Sequence, residues 1–98
     1  MLDLVYLEDI QDNLPIRKPL LEAHMAHMAT HAQVIRLGGP LMRDDGSAPA
    51  GGVLVIEAPS KQHVLDIITA DPYFKAGLWP RIRVHACRDL INTWKPTT

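Results

Sequence analysis

The 98-residue chain has a single cysteine, Cys87, which excludes an internal disulfide and a cysteine-rich zinc site and fits a reducing compartment. It also lacks an excess of charge of either sign. Ten Lys and Arg stand against eleven Asp and Glu, for a formal net charge of −1. No basic surface is available to condense on a phosphate backbone or an acidic membrane, so nucleic acid is not an expected partner. Long apolar runs are missing too, because Asp, His, Arg or Pro interrupts every candidate before it reaches the length of a bilayer crossing. Acids at Asp3, Glu8 and Asp9 occupy the stretch where an export signal carries positive charge. The expectation is a cytoplasmic protein with no membrane partner.

Several site motifs are absent as well. Gly38-Gly39-Pro40 has neither the lysine nor the hydroxyl residue that completes a phosphate loop, and no GxGxxG occurs. No HExxH surrounds the histidines, and His24 and His31 are separated by roughly 10 Å of helix rise, too far to share one ion readily. Neither a metal nor another cofactor is expected, and a haem- or metal-handling role ranks last among the readings.

At 47% hydrophobic residues, the chain has material for one domain with a modest core. A domain of this size that places apolar residues on both faces of a sheet often completes its core by self-association, so a homodimer is expected. Leu2 to Leu7 is apolar on both parities and rich in strand formers, the pattern of a strand with two covered faces. From Ile16 a helical period takes over, with Leu21, Met25, Met28 and Ala32 as its predicted core stripe. Val34 to Leu37 reads as a second strand running into Gly38-Gly39-Pro40, a predicted turn or bulge. Arg43 to Gly52 has the composition of an exposed hairpin connection. Val53 to Ala58 is the clearest strand. Ser60 is a good N-cap for a second helix that buries Val64, Ile67 and Ile68 and ends at Ala70-Asp71-Pro72. In the last strand Ile82, Val84 and Ala86 alternate with Arg81, Arg83, His85 and Cys87. The order βαββαβ is that of an α+β ferredoxin-like fold with an antiparallel sheet, predicted over residues 1–88 with an extension at 89–98.

His24, His27 and His31 border the apolar stripe of the first helix, where partial burial in a helix–sheet cleft suits an imidazole for proton transfer. A histidine that merely satisfies a local hydrogen bond gives the same pattern. Asp71 can cap the short turn Pro72-Tyr73-Phe74, or it can hold a histidine in one tautomer as carboxylates do in His–Asp pairs. Arg17 and Lys18 are expected to be solvated. Trp79 and Trp94 are expected to anchor packing or a subunit contact rather than stack on a ligand.

Taken together, three blocks resemble the YCII-related family: His24-Met25-Ala26-His27-Met28; Leu37-Gly38-Gly39-Pro40-Leu41 with Asp44-Asp45-Gly46; and Ala70-Asp71-Pro72-Tyr73-Phe74-Lys75-Ala76-Gly77-Leu78. The resemblance spans essentially Met1 to Cys87. It implies a dimeric α/β-barrel arrangement in which sheets of two subunits pack together and pockets lie between helix and sheet. His24 and Asp71 would form the family's proposed catalytic pair, with Gly39 and Pro40 shaping the wall of a pocket for a small-molecule ligand. A dehydrochlorinase of a chlorinated hydroxyhydroquinone belongs to this family, so the implied reaction style is proton abstraction from a small cyclic or carbonyl compound, by a lyase or isomerase. The alternative is a non-catalytic binding or accessory module. Many relatives carry an arginine three residues before the histidine, where this chain has Leu21.

Overall fold

A computed structural model describes residues 2–94. Strand β1 (Leu2–Glu8) is followed by helix α1 (Leu14–Thr30), the hairpin strands β2 (Ile35–Met42) and β3 (Pro49–Glu57), helix α2 (Lys61–Thr69), a short helix α3 (Pro72–Lys75) and strand β4 (Arg81–Cys87). The sheet order is β2-β3-β1-β4 with every pair antiparallel, the split βαβ arrangement of a ferredoxin-like α+β fold. At the centre of the sheet Val5 faces Leu54 on one side and Val84 on the other.

Period-two alternation places Val5 and Leu7 of β1 and Leu54 and Ile56 of β3 on the helix-facing side, where all four are buried. Val64, Ile67 and Ile68 of α2 close over them, and Tyr73, Leu78 and Trp79 complete the core. Ser60 starts α2, its Oγ accepting the His63 N–H at 3.1 Å. Gly77, at φ +81° just beyond the end of α3, takes the left-handed conformation that closes such a helix.

Five expectations need correction. Within one chain only one face of β1 is covered: Leu4 and Tyr6 point to the opposite side of the sheet and are exposed. Helix α1 starts two residues before Ile16, because Pro15 occupies its first turn, where no backbone N–H is required.

Gly38-Gly39-Pro40 is not a turn but part of β2, pairing with Leu54, Val53 and Gly52. Proline fits there because β2 is the edge of the sheet, and irregularities in register bracket the triplet, between Ile35 and Leu37 and between Leu41 and Met42. Likewise Pro49 to Gly52 is strand and not connection. Glycine is needed at position 51, since a Cβ there would stand 2.2 Å from the Leu7 carbonyl oxygen.

The fifth correction concerns the predicted core stripe of α1. No residue of this helix is fully buried, and Leu21 and Met25 are 52% and 56% exposed. Ile16, Leu20 and Met28 pack partly against the core, but Leu21, Met25, Met28 and Ala32 border open space between the helix and the sheet. Opposite them the helix-facing side of the β2–β3 hairpin carries little bulk. Gly38, whose Cβ would meet Leu54 Cδ2 at 2.9 Å, and Gly52, whose Cβ would meet Leu7 Cδ1 at 3.3 Å, leave the floor low.

Candidate active site

The open space is a cavity of about 380 Å3 between α1 and the β2–β3 half of the sheet, within the range of small-molecule sites. Its walls are mostly apolar, with Leu21, Met25 and Met28 on the helix and Leu54 and Ile35 on the sheet. Gly38, Gly39 and Pro40 contribute one side, while Arg17, His24, Tyr73 and Trp79 supply the polar groups.

Asp71 joins the end of α2 to the start of α3. Its backbone N–H donates to Ile68 O at 3.1 Å, and its extended backbone, set by the following proline, makes it the N-cap of α3. Oδ1 accepts the Tyr73 N–H at 2.8 Å. Oδ2 accepts from Nδ1 of His24, also at 2.8 Å. The two readings of Asp71 are therefore compatible, because each oxygen serves one of them. The carboxylate is wholly buried.

With Asp71 accepting at Nδ1, the neutral imidazole keeps its proton on that nitrogen and a lone pair on Nε2. Nε2 makes no hydrogen bond to any described residue, and the ring borders the cavity. The imidazole stacks on Tyr73, centroids 4.2 Å apart and planes 17° from parallel, and meets Trp79 edge-on at 6.2 Å. Tyr73 is itself pinned at both ends, by its N–H on Asp71 and by its hydroxyl, which donates to Arg17 O at 3.1 Å. Burial pushes its phenol pKa up, so the ring under the histidine stays uncharged.

Arg17 is not solvated as expected. Its Nε and Nη2 donate to the two oxygens of Asp9 at 2.7 and 3.1 Å, and Nη2 also reaches Gly51 O at 2.9 Å. Asp9 accepts two further bonds, from Asn13 Nδ2 at 2.8 Å and from Trp79 Nε1 at 3.1 Å. The Asn13 side chain leaves α1 uncapped to do this, its second amide hydrogen going to Pro49 O at 2.7 Å. The link after β1 is fixed by its own backbone, with Asp9 N–H on Ala50 O and Ile10 N–H on Leu78 O. Asp9 was missed by sequence reasoning. Its one signal is an acid at the end of an apolar strand, eight residues before an arginine near a helix start.

The remaining histidines of α1 lie elsewhere. His27 Nε2 bonds to Ile67 O at 2.7 Å, tying α1 to α2, and its ring meets that of His31 edge-on at 4.9 Å. Desolvation, helped by His27 and His63, lowers the His31 pKa. Among the described residues no cluster of three His, Cys, Asp or Glu is placed to hold a metal ion. Trp79 anchors packing as expected, yet it also borders the cavity. Trp94 is 78% exposed. Among the described residues no helix is long and apolar enough to cross a membrane.

No curated protein matches the chain. Among solved structures, it resembles the 5-chloro-2-hydroxyhydroquinone dehydrochlorinase TftG of Burkholderia phenoliruptrix AC1100, solved with 2,5-dihydroxybenzoquinone. The two share 30% identity over 90% of this chain and 94% of that one, with a TM-score of 0.81. A second match, Rv0793 of Mycobacterium tuberculosis, shares the fold at 18% identity and a TM-score of 0.50, over 93% of this chain and 97% of that one. The YCII-related domain matches residues 1–88. The fold, the three sequence blocks and that match agree: the chain belongs to the YCII-related domain family.

Proposed function

We propose that the protein is a small-molecule enzyme of the lyase or isomerase type, in which His24 is the general base and Asp71 its orienting partner. The observation that carries this reading is the His24–Asp71 bond. A wholly buried carboxylate, held by its own cap, fixes an imidazole whose second nitrogen is free at the wall of a small apolar cavity. Such a group takes a proton from an acidic O–H or C–H bond, and the electron pair of that bond stays on the substrate. Gly39 and Pro40 serve as the substrate-binding wall opposite the helix. The likeness to a dehydrochlorinase supports the reaction style, while fold and family do not transfer its substrate.

The working form proposed is a homodimer. Leu4, Tyr6 and Leu37 are exposed large apolar residues of the sheet, and Leu4 and Tyr6 lie on the side away from the helices. A second copy would cover this surface. A cytoplasmic location is proposed with it, consistent with the lone exposed cysteine.

The test uses small cyclic enones and chlorinated hydroxyhydroquinones, with deuterium uptake from D2O and chloride release as readouts, and 2,5-dihydroxybenzoquinone as a binding probe. The wild type is expected to catalyse exchange or chloride release, and His24→Ala to lose catalysis while still binding the probe. Binding by both proteins with turnover by neither would favour a non-catalytic binding module.

A further inference from the structure

Resting on that reading, a second cavity residue identifies what kind of substrate the base works on. A guanidinium carries five N–H donors. In Arg17 the Nε donor and the two of Nη2 are committed to Asp9 and Gly51 O. The two donors of Nη1 make no hydrogen bond to any described residue. They are not sealed in the interior, because no buried side-chain nitrogen or oxygen lacks a partner among the described residues. Arg17 borders the cavity, and its side chain is mostly buried. Among the described residues lining the cavity it carries the only permanent positive charge.

The anchoring is as specific as that of His24. Asp9 accepts four hydrogen bonds, two of them the forked pair from Arg17, so the guanidinium plane is locked and its free edge has one direction. Tyr73 contacts both groups: the imidazole stacks at 4.2 Å from its centroid and the Arg17 guanidinium carbon lies 5.3 Å from it. Two buried carboxylates, Asp71 and Asp9, thus each hold one group that lines the cavity, an acceptor in one case and a double donor in the other.

We propose that Arg17 is a substrate-binding residue that takes an acidic oxygen through Nη1, so the substrates are enols, phenols or related carbonyl compounds whose oxygen receives the charge released when His24 removes a proton. When His24 Nε2 takes that proton, the O–H or C–H bond breaks and an N–H bond forms. The electron pair delocalises onto the oxygen at Arg17, where fixed donors in an apolar site stabilise the charge as it develops. Asp9 is a positioning residue for this donor.

The experiment compares 4-nitrophenol, whose absorbance reports its ionisation, with 4-nitroanisole, which has the same shape near the ring and no ionisable oxygen. Arg17→Met with Asp9→Asn removes the ion pair together and leaves no unpaired buried carboxylate. The wild type is expected to bind the phenolate at least tenfold more tightly than the anisole and to ionise the bound phenol at lower pH than in water. In the double variant the preference should vanish and the bound phenol should ionise about one pH unit or more higher than in the wild type, with anisole binding retained. His24→Ala should keep the Arg17-dependent preference, which separates this proposal from the choice of base. A wild type with no preference for the phenolate, a preference that survives the double substitution, or equal loss of both ligands in the double variant overturns it.

Discussion

Asp71→Asn is expected to lower turnover by about 10²–10⁴-fold while leaving the fold largely intact, because the substitution reverses the histidine without removing the cap. Position 71 has two acceptor duties, and they are unequal in what they tolerate. The Tyr73 N–H, at 2.8 Å, must be met by an oxygen. An asparagine side chain satisfies it by turning its carbonyl oxygen that way, which directs its NH2 group at His24 Nδ1, the position of Oδ2 in the native carboxylate. The imidazole then accepts at Nδ1 and carries its proton on Nε2, at the cavity wall. A base that already holds a proton where it should receive one cannot act. Nitrogen-15 NMR of the His24 ring checks the tautomer directly, Nδ1–H in the wild type and Nε2–H in the variant, and a kinetic assay on the same samples reads the consequence. An unchanged tautomer with unchanged turnover would show that Asp71 serves α3 alone. Asp71→Ala, by contrast, loses the cap as well and should cost about 1 kcal/mol more from that source.

Asp9→Ala is expected to destabilise the protein by about 3–5 kcal/mol, a large share of the stability of a domain this small. The carboxylate accepts from Arg17 twice, from Asn13 and from Trp79. Truncation leaves a mostly buried guanidinium without its counter-charge, and strands an amide and an indole N–H in the same place. The loss reaches three elements together, since Arg17 lies on α1, Trp79 follows α3, and Asn13 also holds the first residue of β3. Urea denaturation of wild type, Asp9→Ala and the Arg17→Met, Asp9→Asn pair measures it. The pair should recover much of the loss, because neither charge is then unpaired. A cost below about 1 kcal/mol for Asp9→Ala would mean that water replaces the four bonds, and that the network is a surface feature.

The elements that were legible in the chain are those whose local pattern has one tertiary meaning. Ile82, Val84 and Ala86 in β4, the run from Val53 to Ala58, and Val64, Ile67 and Ile68 in α2 show periods that a sheet or a capped helix alone explains. The stripe of α1 has the same kind of period but two tertiary meanings: Leu21 and Met25 look alike whether they face a packed core or an apolar cavity. Gly38-Gly39-Pro40 punctuates a chain locally, and only the position of β2 at the sheet edge allows the triplet to continue a strand. His24 and Asp71 were legible as a pair only through the likeness of their sequence blocks to the family, since each alone reads equally as a helix-border histidine and a turn cap, and the structure adds that they touch across 47 positions. Asp9 was not legible. It sits where acids are ordinary, after a strand, and its partners lie 4, 8 and 70 positions away.

Helix α1 buries none of its residues fully, and beside the partial packing of Ile16, Leu20 and Met28 it is fastened to the rest of the chain through polar groups: Arg17, His24 and His27, with the Tyr73 hydroxyl on the Arg17 carbonyl. Its apolar stripe has an unfilled volume in front of it where another protein would place side chains. A ligand seated there would act as the missing interior of the molecule, contributing the dispersion contacts that Leu21 and Met25 lack. Recognition and cohesion of the fold are then one process. Shape selectivity would follow from how well an occupant replaces a hydrophobic core as well as from how well it meets the base.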